Sequence, residues 1–123
     1  MIFLARRDNV ELEAVVQLLG EDWLIAVTGG DRPHIGAAAI GIPHQGMECT
    51  VSGKSTASVF NIPGHRDGMV AEYFAKQISA EVQRNVVAVC GIHFNEFSVE
   101  KKELVLELSR NLCKDIIMYM NNR

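Results

Sequence analysis

The sequence lacks a long uncharged stretch, a basic cluster and any closely spaced cysteine pair, and each absence removes a class of function. Met1-Ile2-Phe3-Leu4-Ala5 meets Arg6-Arg7-Asp8 too soon to form the apolar region of a signal peptide. The uncharged run from Asn85 to Asn95 falls well short of the about 20 residues that a membrane-crossing helix needs. A cytoplasmic protein with no membrane partner is therefore expected. The chain has 12 Lys and Arg against 15 Asp and Glu, and its short basic pairs are Arg6-Arg7 and Lys101-Lys102. That leaves no cationic stripe to neutralise a phosphate backbone, so nucleic acid is not an expected partner. Cys49, Cys90 and Cys113 are odd in number and far apart, which suits neither a disulfide framework nor a zinc knuckle. Cys90, inside an apolar run, and Cys113, inside a helical pattern, are expected to be buried, inert thiols, while Cys49 stays open.

What is present describes one globular domain over residues 1–123, with 48% hydrophobic and 22% charged residues, a balance that separates it from disordered chains. Val10, Leu12, Ala14, Val16 and Leu18 alternate with more polar neighbours, the period of a half-buried strand. Gly20-Glu21-Asp22 turns the chain into a second strand from Trp23 to Thr28, and the turn formers Gly29 to Pro33 lead to a third from His34 to Ile42. A flexible stretch is expected from Gln45 to Ser58, overlapping a fourth strand from Ala57 to Ile62. Helical spacing runs from Arg66 to Gln83, with Met69, Val70, Tyr73, Phe74 and Ile78 on one face. Val86 to Ile92 is a continuous apolar run, the mark of a central strand buried on both faces or held between a helix and a partner. Ser98 caps a last helix whose stripe is Leu104, Leu108, Leu112 and Ile116, suited to core or dimer packing. The expected fold is α+β, a mostly antiparallel sheet in the order β-β-β-β-α-β-α with two helices packed on it.

Strand directions bring distant residues together. If the second and third strands form a hairpin, Gly29 to Arg32 and His34 share one edge of the sheet. An antiparallel fourth strand returns Pro63-Gly64-His65 to that edge, and a helical crossover makes the fifth strand end there too, at His93. His34, His65 and His93 are thus expected at one edge and His44 at the other.

Gly64-His65-Arg66-Asp67 opens a helix whose free N–H groups, with Arg66, favour an anion. Ordinary capping, with Gly64 in the turn and Asp67 complementing the dipole, explains the same residues. Three imidazoles are also a potential zinc set, but they come from separate elements rather than a local pair, and hydrogen bonding is the plainer role. No nucleophile elbow or phosphate-binding loop is present. Asp31 and His93 form either an acid/base pair or a hydrogen bond that orders two loops. The small residues from Gly36 to Gly41 suit a flat ligand or close helix packing.

Gly30-Asp31-Arg32-Pro33-His34-Ile35-Gly36-Ala37, Pro63-Gly64-His65-Arg66-Asp67 and Gly91-Ile92-His93-Phe94 together resemble the small accessory "D" proteins of gallate-type hydroxyarylic acid decarboxylase systems, over roughly Leu24 to Arg110. The resemblance implies a prenylated-flavin chaperone, not an enzyme, that carries prenylated FMN as cargo and delivers it to a partner decarboxylase. It also implies a fold like that of proteasome assembly chaperones and a homodimer. The expected cofactor-binding residues are Gly30, Asp31, Arg32, His34, Gly64, His65, Arg66 and His93, with no catalytic residue and no metal ligand. The competing expectation is a homodimeric protein-assembly module that holds a partner subunit without flavin. A small metal-dependent hydrolase or isomerase built on the histidines is a third.

Overall fold

Alternating burial gives the sheet one inner and one outer face. In β2 (Val10–Leu19), Val10, Leu12, Ala14 and Val16 are buried while Glu11, Glu13, Val15 and Gln17 are exposed. In β3 (Asp22–Gly30), Trp23, Ile25 and Val27 are buried in the same rhythm. The computed structural model describes residues 1–44, 54–64 and 66–123, so Cys49 and His65 lie outside the described residues. The remaining elements are β1 (Ile2–Arg7), β4 (Ala37–Pro43), β5 (Ser55–Asn61), α1 (Gly68–Val82), β6 (Val86–His93) and α2 (Val99–Asn121). Of the stretch from Gln45 to Ser58, residues 45–53 lie outside the described residues and Ser55 to Ser58 belong to β5.

The strands form one six-stranded sheet in the order β1-β2-β3-β6-β4-β5. Every pairing is antiparallel except that of β3 with β6. Helix α1 packs on β4, β5 and β6, helix α2 on β1 and β2, and the two helices touch. Their buried residues, including Phe74, Ile78, Leu108, Leu112 and Ile116, join the inner-face residues of the sheet in one core. Gly41 brings β4 so close to α1 that a Cβ there would fall on the Ala75 carbonyl, so the small residues of this strand serve helix packing. Among the described residues, no helix is long and apolar enough to cross a membrane.

The α+β class and the mostly antiparallel sheet agree with expectation, while three details are corrected. A strand, β1, precedes the expected first one, so five strands rather than four lead to α1. It is a short edge strand ending in Arg6-Arg7, joined to β2 by a turn in which Asp8 takes a left-handed φ of 55°. Second, β3 and β4 form no hairpin, because β6 lies between them. Third, Met69 is exposed rather than part of the buried face of α1. Of the two uses expected for the stripe of α2, core packing is the one seen at Leu108, Leu112 and Ile116.

Because β6 separates β3 from β4, residues 31–36 must cross its carboxyl end. Asp31 N–H donates to the His93 carbonyl at 2.6 Å on one side, and Gly36 N–H donates to the Cys90 carbonyl at 2.9 Å on the other. The crossing lies so tightly on β6 that a Cβ at Gly91 would fall on the His34 carbonyl. Gly91→Ala is therefore expected to lower stability by about 1–3 kcal/mol, the usual cost of overpacking. Urea unfolding measures this through the midpoint, and an unchanged midpoint would show that the crossing has slack.

Candidate functional site

At the carboxyl end of β6, β4 no longer provides a partner. The last pairing between the two is Ala37 with Cys90, which leaves the Ile92 N–H beyond the start of β4. An unmet N–H in a partly buried position costs about 1–3 kcal/mol. Asp67 meets it: Oδ1 accepts from the Ile92 N–H at 2.9 Å, and the Cys90 thiol approaches the same oxygen at 3.9 Å. The Asp67 residue is only 6% exposed. It stands at the N-cap position of α1, yet its side chain makes no capping bond. Its carboxylate is turned away from the helix and into the sheet.

The other carboxylate oxygen, Oδ2, lies 3.3 Å from His34 Nε2. His34 Nδ1 in turn faces the Arg32 carbonyl at 3.2 Å, so the ring is held between the crossing and the helix start. Gly36 makes this possible, since a Cβ there would occupy the place of the Asp67 carboxylate. The His34 and His93 rings meet edge to face with centroids 6.1 Å apart. Burial pushes the Cys90 thiol far up, and the adjacent Asp67 carboxylate adds to the effect, so Cys90 is an inert neighbour rather than a nucleophile.

Each expected site residue has a definite place among these elements, His65 excepted. Gly30, with φ of 76°, pairs with His93 at the ends of β3 and β6. Asp31 is not set against the His93 ring as an acid/base partner. Its backbone N–H donates to the His93 carbonyl, and its Oδ2 accepts from the Asn95 N–H at 2.8 Å, so it orders two loops. Arg32 supplies the carbonyl for His34. Gly64 makes the turn before α1 with φ of 85°. The Arg66 guanidinium lies 6.0 Å over the Phe97 ring, beside the start of α2. His44 belongs to the opposite edge, where its Nε2 lies 2.7 Å from Thr56 Oγ1. Among the described residues, no three His, Cys, Asp or Glu side chains converge as a metal-holding group.

Three further residues near this edge were not among the expected site residues. Asp67 looks like an ordinary helix-start acid, and its direction follows from the end of the β4 pairing before Ile92. Phe94 and Phe97 flank the N-terminus of α2, with Lys101 Nζ 5.3 Å over the Phe94 ring. The available signal was a large aromatic residue, Phe97, directly before the Ser98 cap, and the structure leaves it exposed. Helices α1 and α2 both start at this edge, so both positive dipole ends point towards it.

Two open grooves lie elsewhere. One of about 580 Å³ runs between α1 and α2 and is lined by Tyr73, Cys113, Lys114 and Ile117. Burial raises the Tyr73 phenol and pushes the Cys113 thiol up to about 12, so neither is a nucleophile near neutral pH. The other, of about 300 Å³, lies at the opposite edge beside Trp23, Arg84 and Arg123.

Residues 6–121 match the model of the prenylated flavin chaperone LpdD-like domain. The chain is also similar to protein LpdD of Lactiplantibacillus plantarum, with 24% identity over 96% of this chain and 83% of that protein.

Asp67→Ala is expected to cost about 1–3 kcal/mol, because the Ile92 N–H loses its acceptor, and Asp67→Asn, which keeps an acceptor oxygen, less. Denaturant unfolding of both variants checks this order. Equal stability of Asp67→Ala and wild type would remove the carboxylate from its structural role.

Proposed function

We propose that this chain, which belongs to the LpdD-like prenylated flavin chaperone family, holds prenylated FMN at the histidine edge of its sheet and passes it to a partner hydroxyarylic acid decarboxylase. Family membership supports the chaperone role and a flavoenzyme as the recipient. The observation that carries the site is the turning away of the Asp67 side chain, which leaves the first turn of α1 without a side-chain cap beside Arg66. An anionic phosphate is stabilised by N–H groups at a helix start and by a guanidinium. Gly64, His65 and Arg66 hold the phosphate in this reading. Gly30, Asp31, Arg32, His34 and His93 frame the flavin ring, with Asp31 keeping the loops in place through its backbone contacts.

The edge is also apolar where it is exposed. Ile35, Met69, Phe97 and Val99 all project there as exposed side chains, which suits both a prenylated ring and the docking of the recipient. The role is a carrier's, with no bond made or broken in the cargo. A homodimer, a cytoplasmic location and the likeness to proteasome assembly chaperones belong to the same reading.

Anaerobic titration with reduced prenylated FMN and, separately, with plain FMN, followed by calorimetry, tests it. Saturable binding that prefers the prenylated form is expected. Arg66→Ala should weaken it roughly tenfold, the loss of one charge-assisted contact of about 1.4 kcal/mol. His65→Ala should weaken it as well, and His44→Ala should leave it unchanged. Failure of both flavins to bind would overturn the carrier reading in favour of a protein-assembly module.

A further inference from the structure

The described histidines differ in what their ring nitrogens do. His34 faces protein oxygens with both: Nε2 lies 3.3 Å from the Asp67 carboxylate and Nδ1 3.2 Å from the Arg32 carbonyl. His44 spends Nε2 on Thr56 Oγ1 at the opposite edge. His93 spends neither. Among the described residues its ring nitrogens meet no hydrogen-bonding group, and its ring contact is the edge-to-face one with His34.

An imidazole that waits on water is ordinary where the side chain is loose, but His93 is held in place. Its backbone closes the pairing of β6 with β3 opposite Gly30, where a Cβ would fall on the His93 carbonyl. That carbonyl also accepts from the Asp31 N–H of the crossing at 2.6 Å. The His93 ring is half-buried and stands at 85° to a His34 ring that is itself fixed at two points. Neither nitrogen is sealed off, since the fully buried side-chain N or O atom without a partner among the described residues is Ser109 Oγ. A fixed, accessible and uncommitted imidazole is a preorganised hydrogen-bonding group, which a ligand meets at little cost in ordering.

We propose that His93 is the histidine that hydrogen-bonds the cargo, donating a ring N–H to the polar pyrimidine edge of the flavin, while His34 offers the same ring only an aromatic surface. The assignment rests on the flavin reading above and divides the roles within that site. A flavin ring is apolar at its benzene end and carries carbonyl oxygens and ring nitrogens at the other. One placed polar group in an apolar frame therefore sets which end enters. The frame is present: exposed Ile35 and Phe97 lie on the two loops that Asp31 Oδ2 and the Asn95 N–H tie together at the end of β6. His93 thereby determines the orientation of the cargo as well as its affinity.

Anaerobic calorimetric titration with reduced prenylated FMN compares wild type with His93→Phe and His93→Gln. His93→Phe keeps a ring against His34 and removes the nitrogens, and it should weaken binding roughly tenfold. His93→Gln restores a donor and an acceptor and should recover most of that loss. Hydrogen exchange of the ring N–H groups, followed by NMR in wild type, is a readout that a merely structural role would not move. The His34 N–H should be protected with and without flavin, and that of His93 only with it. This measurement decides should His93→Phe not fold. Equal binding by wild type and a folded His93→Phe, or a His93 N–H as labile with flavin as without, would overturn the assignment and leave the flavin reading standing. A wild type that binds no flavin would overturn that reading and the assignment with it.

Discussion

A single buried carboxylate holds the histidine end of this protein together. The insertion of β6 between β3 and β4 forces the chain across the end of β6, and the pairing with β4 ends at Cys90, before the Ile92 N–H. Asp67 resolves both problems at once, accepting from Ile92 with one oxygen and facing His34 of the crossing with the other. Burying a carboxylate is costly unless its oxygens are met. Here the Ile92 N–H, the Cys90 thiol and the His34 ring surround it, and Gly36 and Gly91 supply the room. The start of α1, the path of residues 31–36 and the orientation of His34 are consequences of that one contact set.

The same arrangement gathers polar and apolar groups at one edge. A helix that uses its N-cap side chain elsewhere keeps its first-turn N–H groups for another acceptor. Arg66, one residue before Asp67, stays exposed and lies over Phe97 at the start of the second helix. Two imidazoles, a guanidinium, two helix starts and exposed apolar side chains then share one end of the sheet. These are the groups on which the proposed flavin site rests. The open grooves between the helices and at the opposite edge have inert thiol and phenol groups or lie far from these residues.

Local pattern revealed most of the elements. The alternation of Val10 to Val16, the helical spacing of Val70, Phe74 and Ile78, and the Ser98 cap, whose side chain accepts from the Lys101 N–H, all appear where the sequence puts them. Strand β1 was hidden because a short edge strand before two arginines carries little periodic signal. Strand neighbours were hidden for a different reason: the placing of β6 between β3 and β4 is a long-range choice that no local pattern encodes. The gathering of His34 and His93 survived that error, since it depends on strand directions and not on which strands touch. Asp67 was misjudged because its role comes from a backbone group on β6, 25 residues away along the chain. Asp31 turned out to bind loop backbone, as the simpler of its two readings held.

A cargo held at the edge organised by Asp67 lies beside two histidines that report on it directly. Imidazole resonances of His34, His93 and His44 can be followed by NMR while reduced prenylated FMN is added anaerobically. His34 and His93 are expected to shift together and saturate at one flavin per chain, while His44, at the opposite edge, stays still. Saturable shifts of His44 with His34 and His93 unmoved would place the cargo elsewhere and contradict that expectation.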